Sequence, residues 1–105
     1  MKDIYPVQIT VKEILKGKCS LGFKPGDSWT MEKNLTPDGM CASAFTAIFP
    51  AVRTLRYGGK MPFGKEPDVV RISCPDAHIV VVYELRRLRP DSLDGQSNIT
   101  PPVPA

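Results

Sequence analysis

A chain of 105 residues has room for one domain, and 42% apolar against 24% charged residues suits a core with a solvated surface. The net charge is +3, or +5 without the two aspartates of the C-terminal stretch, and the bases cluster at Lys12/Lys16/Lys18/Lys24 and Arg86/Arg87/Arg89. No RNA- or DNA-binding motif accompanies them, so they read as a solvated basic face rather than a nucleic-acid surface.

Val7-Gln8-Ile9-Thr10-Val11-Lys12 alternates apolar and polar residues and predicts a half-buried strand, with a phase slip at Glu13-Ile14 that marks a bulge or the strand's end. Residues 16–26 read as a loop punctuated by Gly17, Gly22 and Pro25-Gly26. Ser28 to Glu32 forms a short second strand with Trp29 and Met31 on one face. Thr36-Pro37-Asp38-Gly39 has the form of a helix start, a threonine cap followed by proline at the first helical position. Behind it Cys41, Ala44, Phe45, Ile48, Phe49, Val52 and Leu55 recur at helical spacing, and Gly58-Gly59 closes the element. Pro50 lies inside this stripe, so a kink or two abutting helices are expected.

Residues 59–67 read as a loop, and two strands, 69–74 and 79–85, then form a hairpin joined by Pro75-Asp76-Ala77-His78. Pairing Cys74 with Ile79, Ile72 with Val81 and Val70 with Tyr83 puts one apolar set of both strands on the same face. The resulting fold is α+β, ordered β-β-α-β-β: a small antiparallel sheet packed on one proline-kinked helix. The compact domain is expected over residues 3–89. A disordered proline-rich tail is expected over 90–105, a stretch with four prolines and no apolar period. No apolar run is long enough to span a bilayer and Met1 to Pro6 holds no apolar signal segment. An odd number of cysteines without short-spaced pairs argues against a secreted disulfide scaffold, so the expectation is a cytoplasmic protein without a membrane partner.

The chemistry-bearing residues are the three cysteines and a few neighbours. Cys41 falls near the helix start, where the dipole and open N–H groups favour a thiolate while burial and Asp38 oppose one. Cys19 sits among lysines in a glycine-bounded loop, where packing explains it least. Cys74 ends a strand and faces the core. If the three converge, they could hold a ligand, zinc (with His78, Asp27 or Asp76 as fourth ligand) or an iron–sulfur cluster. Their spacings of 22 and 33 residues match no ligand motif, and no cofactor is assigned. A catalytic set of Cys41 with Asp27, Asp76 or His78 is the enzymatic alternative. Lys24 is a further ligand-binding candidate, in a turn whose N–H groups could meet an anion.

Four blocks, Gly17-x-Cys19-x-x-Gly22-x-Lys24-x-Gly26-Asp27, Pro37-x-Gly39-x-Cys41-x-x-Ala44-Phe45, Gly58-Gly59 and Cys74-Pro75-Asp76, resemble a family of small uncharacterised, mainly prokaryotic three-cysteine proteins. The likeness spans most of residues 7–88. The family has no settled activity, so the resemblance implies only that the three cysteine positions belong to a shared pattern. Many of its members run Cys-Pro-x-Gly-His-Lys in the first block; here Ser20 and Phe23 stand at the proline and histidine positions, which weakens a metal reading.

Three functions follow as expectations. The first is a pocket lined by Cys19, Cys41 and Cys74 that binds a small molecule or a metal. The second is a small thiol-dependent enzyme using Cys41. The third is a partner-binding or homodimerising subunit that uses an apolar strip of Val69, Val80 and Val82 on the outer strand face.

Overall fold

Apolar alternation places Val7, Ile9 and Val11 on one face of β1 (Val7–Lys16), and all three are fully buried. The computed structural model of the chain describes residues 4–60 and 66–89. After β1 come β2 (Ser28–Met31), α1 (Ala42–Arg56), β3 (Val69–Ser73) and β4 (Val80–Arg87). They form one antiparallel sheet in the order β2-β1-β4-β3 with α1 against one face, the expected α+β architecture. The expected tail lies outside the described residues, as do residues 61–65 of the loop before β3.

The core forms between the inward residues of the sheet and one stripe of the helix. β4 contributes Val81, Tyr83 and Leu85, and α1 contributes Ala44, Ile48, Ala51, Val52 and Leu55. Each large aliphatic side chain buried there contributes about 1.5–3 kcal/mol. The slip at Glu13-Ile14 is a bulge and not a strand end, because β1 continues to Lys16 with register breaks against β4 between Val11/Glu13 and Ile14/Lys16. Trp29 and Met31 pair with Ile9 and Val7 on the inner face.

Two local readings need correction, the helix start and the register of the hairpin. The helix begins at Ala42, with Cys41 as its cap in extended backbone (φ −67°, ψ 128°), and not at Thr36-Pro37. Gly39 has φ +78°, and Met40 N–H donates to the Pro37 carbonyl, so Pro37 to Met40 form a turn that no helix can traverse. Of the two readings of Pro50, the single helix holds: Pro50 lies inside α1 and does not split it.

The hairpin register is displaced by two residues: Ile72 pairs with Tyr83 and Val70 with Leu85. A shift of two keeps every side chain on its face, so the apolar pattern is satisfied equally well. The connection widens to Cys74–Ile79, where the Asp76 carboxylate accepts the N–H groups of His78 (2.8 Å) and Ile79 (3.2 Å).

The Arg86/Arg87/Arg89 cluster is not a uniform solvated face. Arg87 is 3% exposed and donates to the carbonyls of Leu55, Gly59 and Pro67 and to the Asp68 carboxylate. It thereby caps the carboxyl end of α1 with a cation. Burial alone would raise the Asp68 carboxyl, but the hydrogen bonds and charges of Arg89 and Arg87 outweigh it and hold the group below its ordinary value. On the outer sheet face Glu84 meets Lys12, Arg71 and Arg86. Val69 stands opposite Arg86, beyond the Arg71/Glu84 pair, and Val82 is itself buried. The expected strip of Val69, Val80 and Val82 is therefore not continuous.

Candidate functional site

All three cysteines line one cleft of about 340 Å³, between the start of α1, the loop after β1 and the β3–β4 connection. Twelve residues form its wall. The loop after β1 contributes Cys19, Ser20 and Leu21, the helix start Cys41, Ser43 and Ala44, and the second connection Cys74, Pro75, Asp76 and Ile79; Val81 and Tyr83 of β4 complete it.

Local structure fixes each sulfur. Cys19 opens a turn in which its carbonyl accepts Gly22 N–H (2.9 Å). Gly17 sets that loop against the opposite connection: a Cβ there would come 3.0 Å from Ile79 Cγ1 and 3.2 Å from the His78 carbonyl oxygen, at φ +75°. Only glycine tolerates this approach. Cys41 caps α1, and its carbonyl accepts Phe45 N–H (2.9 Å), the first bond of the helix. Cys74 follows directly after β3; its N–H donates to the Val81 carbonyl (2.9 Å) and its thiol to the Ile79 carbonyl (3.3 Å). All three are half-buried and free of disulfides.

Tyr83 was read from the sequence only as an inward strand residue. It is 1% exposed, and its hydroxyl makes no hydrogen bond among the described residues, although it lies within electrostatic reach of all three sulfurs. Burial, reinforced by the charge that thiolates of Cys41, Cys19 and Cys74 would carry, pushes this hydroxyl far above its ordinary value of 10.0. It therefore stays neutral and able to donate. The available signal was a tyrosine where β4 otherwise places aliphatic residues inward, since a buried phenol calls for a polar partner.

The other candidates separate. Asp76 stands at the rim, and the N–H groups of His78 and Ile79 hold its carboxyl below the ordinary range. It is thus a weak base and not a general acid near neutral pH. Asp27, Lys24 and His78 do not line the cleft. Asp27 accepts Lys24 N–H (3.0 Å) within the turn before β2 and pairs with the Lys24 ammonium at 3.7 Å. His78 is exposed in the β3–β4 connection.

Among the described residues no three His, Cys, Asp or Glu side chains are grouped so as to hold a metal ion, the cleft cysteines included. The residues as arranged do not fit zinc or an iron–sulfur cluster. No helix among them is long and apolar enough to cross a membrane. The chain matches no family model, no curated protein and no solved structure.

Proposed function

We propose that this chain binds a small organic molecule in the cleft of Cys19, Cys41 and Cys74. The observation that carries the reading is convergence: three cysteines separated by 22 and 33 residues, on three different segments, line one concavity. Its volume falls at the lower end of the range for ligand pockets, about 300–1,000 Å³, and its floor of Ala44, Val81 and Tyr83 is buried. Resemblance to a three-cysteine family would make the thiol set a shared feature of such proteins.

A second reading, a thiol-dependent enzyme using Cys41, is favoured by the position of that sulfur at a helix start with no acidic residue in the first turn. Its assisting groups would be Asp76 and Tyr83, because Asp27 and His78 stand apart from the cleft.

Phenylarsine oxide tests the shared site, since one arsenic takes two neighbouring thiols with loss of water. One equivalent should bind to the native chain and protect at least two of the three cysteines from iodoacetamide, as read by mass spectrometry. Independent alkylation of all three, unaffected by the arsenical, would overturn the reading.

A further inference from the structure

Resting on the reading of the cleft as a ligand site, we infer that it takes a small carbonyl-bearing molecule of at most one negative charge. The ligand's oxygen is held by the Tyr83 hydroxyl and the open backbone N–H groups of Ser43 and Ala44.

The first observation is the hydroxyl. A buried phenol usually finds a partner, and a buried donor without one costs about 1–3 kcal/mol. Tyr83 is 1% exposed, lines the cleft, and its hydroxyl makes no hydrogen bond among the described residues.

The second observation is the helix cap. Ser, Thr, Asp or Asn at this position would place a side-chain oxygen on the second or third N–H of the helix. Cys41 makes no such bond, and the first helical hydrogen bond runs from Phe45 to Cys41. The N–H groups of Ser43 and Ala44 therefore have no partner within α1, and both residues line the cleft. Two kinds of donor thus face one cavity, and an oxygen acceptor satisfies both.

Charge narrows the class. No lysine or arginine is among the lining residues, and the Asp76 carboxylate stands at the rim. A phosphate dianion would meet that carboxylate without a cation to offset it. A neutral carbonyl or a single carboxylate meets only the dipolar donors. The buried aliphatic wall of Ala44 and Val81 suits a short apolar body.

The experiment is an amide-detected NMR titration of the full chain with sodium pyruvate, propionamide and, in parallel, inorganic phosphate. The expected result is saturable shifts of the Ser43 and Ala44 amides with pyruvate or propionamide and none with phosphate. Tyr83→Phe should weaken that binding about 3- to 10-fold, the worth of one neutral hydrogen bond. Cys41→Ser supplies a second test, because a serine cap fills the helix N–H groups from within: it should raise stability and suppress the amide shifts. Equal shifts with phosphate, no saturable response to either carbonyl probe, or unchanged affinity in Tyr83→Phe would each overturn the inference. If these fail while phenylarsine oxide still bridges the cysteines, the shared thiol site stands and only the carbonyl assignment falls. If both fail, the site itself is wrong.

Discussion

Replacing Tyr83 by phenylalanine should stabilise the ligand-free protein. Tyrosine-to-phenylalanine changes in a core usually remove a hydrogen bond and cost stability, but here the hydroxyl has no hydrogen bond among the described residues. What the substitution removes is the desolvation of an unpaired donor, while the ring keeps its contacts with the core and with Trp29, whose centroid lies 6.5 Å away. Against a penalty of about 1–3 kcal/mol for such a donor, discounted because it borders an open cleft, the gain should be about 1 kcal/mol. In a domain this small that is a rise in melting temperature of about 4–8 °C.

The pH dependence gives a second, independent readout. The folded-state value of Tyr83 is raised above its ordinary 10.0, so the neutral form is the one the fold favours. That contribution is complete below pH 10 and is lost as the pH rises above it toward the folded value. Urea unfolding of the native chain should therefore weaken above about pH 10, and the phenylalanine variant should lose less over the same interval. A loss of 1 kcal/mol or more at neutral pH in Tyr83→Phe would refute the reasoning, since it would mean that the hydroxyl is bonded and not free to hold a ligand.

Three further outcomes follow from the same geometry. Cys74 should be the slowest of the three cysteines to react with iodoacetamide, because its thiol is engaged by the Ile79 carbonyl at 3.3 Å and that bond must break before the sulfur can attack; peptide mapping of the alkylation time course reads the order. Arg87→Ala should destabilise by about 3 kcal/mol in urea titration, since it leaves the carbonyls of Leu55, Gly59 and Pro67 unmet at the end of α1 while Asp68 keeps Arg89 as a partner. Asp68 is held below its ordinary value of 3.8, so its contribution is present above that pH and lost as the pH falls through the lower folded value; Asp68→Asn should lower stability at neutral pH and flatten the acid limb below about pH 4.

Period and phase carried most of the fold. The alternation of β1 placed Val7, Ile9 and Val11 inward, and the slip at Glu13-Ile14 corresponds to the bulge against β4. The helix stripe likewise placed Ala44, Ile48, Val52 and Leu55. Where the reading missed, two structures satisfied the same local rule. Pro37-Asp38-Gly39 suits a helix start and a glycine turn equally, and the positive φ of Gly39 chooses the turn. A hairpin displaced by two residues leaves every face unchanged, so only the Asp76 turn distinguishes the registers. Burial of Arg56 and Arg87 depends on backbone carbonyls that the tertiary fold brings near, Met31 for one and Leu55 and Gly59 for the other. Nothing in their own neighbourhoods announces it. For the site, the cysteines were legible as a set, whereas Tyr83 was hidden by fitting an inward strand position too well.

Both corrected elements border the cleft. In the tighter hairpin Cys74 would pair directly with Ile79 inside the ladder; in the wider one its N–H meets the Val81 carbonyl and its thiol the Ile79 carbonyl, on the cleft wall. A helix starting at Pro37 would satisfy the N–H groups of Ser43 and Ala44 with carbonyls one turn earlier; starting at Ala42 leaves them without a partner in α1, in residues that line the cleft. At the opposite end of α1 the chain treats polar groups differently, giving the buried Arg87 guanidinium three carbonyls and a carboxylate. The Tyr83 hydroxyl and the first-turn amides, without a protein partner among the described residues and beside three converging thiols, are the groups that the proposed ligand would meet.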